Sequence, residues 1–187
     1  MAAAWTTLTV TESSVVMPER TSPQRHWRNL VWLLLSLLVL VLDQWSKVAI
    51  EEALAYGERV VVLPVFNLTL AYNPGAAFSF LADAGGWQRW FFTAVAVVAS
   101  VVILAWLVTL RGQRWVAAAL ALVLGGALGN LWDRLAHGHV VDFLDFHWGG
   151  WHFPAFNLAD SAITLGAAIL IADMFIQWRQ ERRAQRG

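Results

Sequence analysis

The chain contains no cysteine. Disulfides, a thiolate nucleophile and any cysteine-bound metal are thereby excluded. Charge is scarce as well: Asp, Glu, Lys and Arg make up 14% of the 187 residues and cancel to a net charge of zero. No serine sits in a G-x-S-x-G turn and no HExxH occurs, so two common hydrolytic arrangements are missing. There is no internal repeat. What remains is 58% hydrophobic with a mean hydropathy of +0.54, and a soluble domain of this length needs more polar surface than that. Twelve tryptophans stand against two tyrosines, and tryptophan favours the membrane–water interface. The composition is that of a membrane protein.

A helix needs roughly 20 apolar residues to cross a bilayer. Four segments qualify, at about 30–50, 90–110, 115–135 and 158–178. The first follows basic residues as a signal peptide would, but it runs on into DQWSK instead of a small-residue cleavage site, so it is expected to be retained. Nine of the thirteen basic residues (Arg20, Arg25, Arg28, Arg111, Arg114, Arg179, Arg182, Arg183 and Arg186) fall on one side of this arrangement. By the positive-inside rule both termini are cytoplasmic and both long loops face outward. The expected organisation is a disordered cytoplasmic tail over 1–28, one membrane domain over 29–178, and a basic cytoplasmic tail over 179–187. Within the first outer loop, residues 57–72 carry a strand signal broken by Pro64 and Asn67, and Asn73-Pro74-Gly75 is a turn signal. The stretch AAFSFLADAGGWQRW reads as a short amphipathic helix at the interface, with Phe78, Phe80 and Leu81 towards lipid.

Ionisable groups inside a span cost on the order of 3 kcal/mol each, so those present need a reason. Asp43 and Lys47 lie four apart on the first span and can pair; Lys47 could equally snorkel outward. Gly125, Gly126 and Gly129 allow a close helix approach on the third span. Asn130, Asp133 and Arg134 follow on one face as a polar cluster. Asp142 follows two β-branched residues and is expected on a short extended segment at the membrane surface. Asp160 opens the fourth span, with Asn157 as its N-cap in a capping-box pattern. Taken singly, Asp160 reads as a helix-start charge, and Asp142 or Asp145 as a loop carboxylate. Taken together, Asp142 and Asp160 lie on one side at one depth. Two carboxylates in a low-dielectric cleft share a proton, which permits hydrolysis of a peptide bond by activated water. His137, His139, His147 and His152 gather near Asp142 and Asp145, which leaves a His/Asp metal hydrolase open; a small proton or cation transporter is a third reading.

The motifs LDQWSK, NPGAAFSF, GNLWDR, VVDF and FNLADSAI, in that order and on those spans, resemble the bacterial lipoprotein signal peptidases over residues 30–178. That resemblance implies an aspartyl intramembrane peptidase. Its substrates are prolipoproteins carrying diacylglycerol on a cysteine, cut just before that cysteine. It implies Asp142 and Asp160 as the catalytic pair. Asp43, Asn73, Asn130, Asp133, Arg134 and Asn157 are implied as supporting residues, with Lys47 and Gly75 of the same motifs beside them. The implied fold is all-α with four transmembrane helices, a small periplasmic β cradle and a short amphipathic periplasmic helix, in the bacterial inner membrane. Globomycin-type cyclic peptides are the implied inhibitors and membrane lipid a partner; Phe78, Phe80 and Phe143 are candidates to touch the acyl chains. No cofactor, metal or nucleic acid is expected, and a monomer is.

Overall fold

The computed structural model describes residues 27–75 and 85–186. A 3-10 turn, Trp27–Val31, leads into the first long helix. The four helices are α1 (Trp32–Ala53), α2 (Trp87–Thr109), α3 (Arg114–Ala136) and α4 (Leu158–Ala184), and each is long and apolar enough to cross a membrane. Four strands lie between them: β1 (Arg59–Leu63) and β2 (Phe66–Asn73) after α1, and β3 (Val140–Trp148) and β4 (Trp151–His152) after α3. The order β1-β2-β3-β4 is antiparallel throughout. The chain is a multi-pass membrane protein with a small sheet at one end of a helix bundle.

The central helix is α3. Of its most apolar stretch 61% is buried, against 17–22% for the other three. Its small residues explain this. A Cβ on Gly125 would stand 2.6 Å from the Ser36 carbonyl oxygen of α1, and one on Gly126 would collide with the Ala159 carbonyl oxygen of α4. Glycine lets both backbones touch α3, as close packing between membrane helices requires. At the end away from the sheet, Leu107, Leu110, Val116, Ala117 and Leu120 form an apolar core. The polar groups concentrate at the other end.

Several boundaries differ from the sequence expectation. Trp87–Trp90, assigned above to the amphipathic segment, form the first turn of α2; residues 76–84 of that segment, with Phe78, Phe80 and Leu81, lie outside the described residues, as does nearly all of the N-terminal tail. In the basic segment 179–187, expected above as a tail, α4 continues as helix to Ala184. Pro64 does break the outer-loop strand, at the β1–β2 turn. Asn67 does not: it sits inside β2, where its side chain has a buried acceptor in Asp145.

Candidate active site

Helix α3 ends where its chain must turn into β3. The amides of His137 and Gly138 both return to the Asp133 carbonyl, and Gly138 adopts φ 86°, the left-handed conformation that closes helices with glycine at low cost. Two residues later β3 begins, and it carries Asp142 over the end of the bundle. The Asp133 carboxylate accepts from the Val141 amide at 3.3 Å, fixing the strand one residue before Asp142.

Side chains alternate across a strand, so Asp142 and Asp145, three apart, point to opposite faces. Their partners on β2, Asn73 and Asn67, are six apart and in a regular strand would share a face. A bulge between Leu68 and Ala71 shifts the pairing by one residue: Asn67 lies opposite Asp145, while Asn73 lies opposite Val140, whose side chain shares a face with Asp142. The bulge thus re-aims the second half of β2. Asn67 Nδ2 donates to Asp145 at 3.0 Å and Asn73 Nδ2 donates to Asp142 Oδ2 at 3.0 Å.

Asp142 is 2% exposed. Its other oxygen accepts from Asn157 Nδ2 at 2.8 Å. Burial raises its pKa to about 7, the neighbouring Asp160 charge adds to the rise, and donors from Asn73 and Asn157, with the Lys47 charge, hold the rise down. Asp160 lies in the first turn of α4, where Asn157 caps the helix by accepting from the Asp160 amide at 2.9 Å. Only half of the expected capping box forms. The Asp160 carboxylate accepts from Asn130 Nδ2 of α3 at 2.8 Å instead of turning back to the cap. Asn157 Nδ2 also reaches Asn130 Oδ1 at 3.2 Å. Two amides therefore join the two carboxylates: Asp142 to Asn157, Asn157 to Asn130, Asn130 to Asp160.

Lys47 orients this relay from below. It does not snorkel; it is 2% exposed, and its ammonium meets Asp133 Oδ2 at 2.7 Å, Asp43 Oδ2 at 2.8 Å and Asn130 Oδ1 at 3.0 Å. All three of its protons have an acceptor, as a buried ammonium requires. The bond to Asn130 Oδ1 decides which way that amide points, with its Nδ2 towards Asp160. Asp43 in turn accepts from the Ala159 amide at 2.9 Å and so holds the start of α4. A Cβ on Gly129 would be 2.5 Å from the Asp43 carboxylate, so that glycine makes room for a charge. Arg134 donates to the Asn130 carbonyl at 3.1 Å and to the Gly75 carbonyl at 2.7 Å, while Gly75 N–H closes on Asn73 Oδ1 at 2.9 Å. Gly75 enters the site through its backbone.

Asp43, Lys47, Asn73, Gly75, Asn130, Asp133, Arg134, Asp142, Asn157 and Asp160 thus form one connected polar network. Gln44 belongs to it too and was not singled out from the sequence: its amide donates to Asp133 at 2.8 Å and lies 3.2 Å from Asp43. Its signal was a glutamine inside an apolar span, which is itself costly. Asp145 lies elsewhere. On the far face of β3 it meets His152 Nδ1 at 2.7 Å and Arg59 Nε at 3.7 Å. Burial pushes its pKa up, but Asn67, His152 and Arg59 together carry it below the ordinary value. His147 stacks on His152 at 5.1 Å and His139 lies tilted against Tyr72 at 4.2 Å, so these histidines gather around Asp145 and Tyr72 and not around Asp142.

The chain as a whole has known relatives. The profile of the family described as signal peptidase (SPase) II matches residues 35–176. A lipoprotein signal peptidase of Pseudomonas fluorescens is 62% identical over 150 residues, covering 79% of this chain and 88% of the relative. One from Alteromonas mediterranea is 58% identical over 148 residues, covering 79% and 81%. A bacterial membrane enzyme solved by the in meso method superposes with a TM-score of 0.71 at 30% identity, covering 78% of this chain and 87% of that one. With a matched profile and relatives spanning most of both chains, this four-span peptidase belongs to the signal peptidase II family.

Proposed function

We propose that this chain removes the signal peptide from prolipoproteins whose cysteine carries diacylglycerol, with Asp142 and Asp160 as its catalytic pair. The observation that carries the reading is the relay Asp142–Asn157–Asn130–Asp160, which gives the two carboxylates unequal surroundings. Both oxygens of buried Asp142 already accept hydrogen bonds, and its carboxyl holds a proton near neutral pH. Asp160 is half-buried, and its second oxygen has no hydrogen-bond partner among the described residues, which leaves a position for water.

The chemistry follows from that inequality. Asp142 donates its proton to the scissile carbonyl oxygen as Asp160 takes a proton from the attacking water, giving a neutral gem-diol. The C–N bond then breaks: Asp160 returns its proton to the leaving nitrogen, and a diol hydroxyl returns one to Asp142. The pair ends as it began. No nucleophile other than water is required.

The enzyme acts in the bacterial inner membrane with both termini cytoplasmic and the sheet and dyad at the periplasmic face, since in the sequence nine of the thirteen basic residues precede α1, join α2 to α3 or follow the apolar part of α4. The acyl chains of the substrate stay in the outer leaflet, which sets the depth of the cut to that of Asp142 and Asp160. The chain works as a monomer, and globomycin-type cyclic peptides occupy the same cleft. In bilayers, the purified protein is expected to cleave diacylglyceryl prolipoprotein but not its unlipidated form, and to be indifferent to a strong chelator. Equal cleavage of both substrates contradicts the depth argument, and loss of activity with chelator contradicts the aspartyl mechanism.

A further inference from the structure

One motif has no part in the network above: HWGGWHF, the hairpin joining β3 to β4. Gly149 and Gly150 have φ 55° and 85°, the pair of positive values of a tight two-residue hairpin turn. Trp148 and Trp151 face each other across that turn, 79% and 64% exposed. Large apolar rings this exposed on a hairpin tip call for a partner.

Strand register shows what lies beneath them. Asp142, Leu144, Phe146 and Trp148 share one face of β3, and Leu144 lies opposite Phe156. A chain of ring contacts continues along that face: Trp151 with Phe153 at 6.1 Å, Phe153 with Phe156 at 5.9 Å, and Phe156 with Phe146 at 5.9 Å. With Val65 these aromatic residues line an open cavity of about 440 Å³. The opposite face of the sheet carries Asp145 of β3 and His152 of β4, with Arg59 of β1 near Asp145. The end of the sheet is therefore amphipathic.

The apolar face begins beside a membrane-spanning helix. Phe156 directly precedes Asn157, the N-cap of spanning helix α4, so the ring ladder starts at the level where a span begins. Asp142, on this face, joins the polar network at the end of the bundle, and Phe146 and Trp148 lie roughly 13–20 Å further along the strand. Tryptophan suits that position, with an apolar body and one N–H for the headgroup layer.

We propose that the Trp148–Trp151 hairpin is an interfacial anchor that seats the sheet on the outer leaflet beside the bundle. Its ligand is the headgroup–acyl boundary of the bilayer. The absence of cysteine makes a direct test simple, and the readout is depth, so it stands or falls separately from the peptidase mechanism. Single nitroxide labels are placed on full-length protein at Trp148→Cys, Trp151→Cys, Arg59→Cys on the polar face, and Val98→Cys on the lipid side of α2. Collision with oxygen and with a water-soluble nickel chelate is measured in phosphatidylcholine vesicles. Labels at 148 and 151 are expected to favour oxygen, as 98 does, while 59 favours nickel. Labels at 148 and 151 that behave like 59 overturn the proposal. So does shielding that appears only when prolipoprotein is added, which identifies a substrate groove, or dipolar broadening between labels, which identifies a second copy.

Discussion

Two effects act in the same direction on Asp142, its burial and the charge of Asp160, and together they outweigh three that oppose them. The carboxyl thus keeps its proton until about pH 7. Above that it ionises and can no longer polarise the carbonyl, so kcat/KM is expected to fall about tenfold per pH unit on the alkaline side. Asn73 donates to the ionised form and holds the pKa down. Asn73→Ala therefore moves the alkaline limb of the pH–rate profile to higher pH, and an unchanged limb would show that the limb reports another group. Lys47 offers a second test. Lys47→Met leaves Asp43 and Asp133 buried without their cation, a loss on the order of 3–5 kcal/mol, measurable as lowered resistance to denaturant in detergent. The residue types of the site were visible in the sequence because ionisable groups in apolar spans are rare. The choice of Asp142 over Asp145 was not visible in the same way. It depends on strand parity and on a bulge in β2, and neither leaves a mark in composition; only the resemblance of VVDF to a family motif selected it.

Among the elements, α3 carries the arrangement. Its glycines hold α1 and α4 close enough for side chains of all three helices to meet at Asn130, which Lys47 of α1 and Asp160 of α4 both reach. Gly126→Ala pushes a methyl group into the Ala159 carbonyl and the Ile163 side chain. The expected cost is about 1–3 kcal/mol of stability. Because Ala159 adjoins Asp160, kcat is expected to fall more than KM rises; steady-state kinetics on the folded variant separate the two. The helices were legible from length and hydropathy, and the glycines from their spacing. Strand limits were less so, since Asn67 reads as a breaker until its buried partner is known. The half-formed capping box could not be foreseen either: Asp160 had a satisfactory local partner in the cap, and a residue thirty positions away, Asn130, took its carboxylate instead.

On the scale of the whole molecule, the fold brings two loops and three helices to one end of the bundle and holds them there by buried hydrogen bonds. Membrane character, the number of spans and their order follow from the sequence because the bilayer imposes a length and a polarity on each segment. The convergence of residues 43, 73, 130, 142 and 160 on one point does not, since it is a property of packing. The central claim is that Asp142 and Asp160 act as a pair and that Asp145 does not. Its most direct test is turnover of diacylglyceryl prolipoprotein by purified Asp142→Asn, Asp160→Asn and Asp145→Asn in bilayers, with intact folding checked for each. The first two are expected to fall at least about a thousandfold, and the third to stay within a few-fold of the parent. Near-normal turnover by either of the first two, or loss confined to Asp145→Asn, would contradict the assignment.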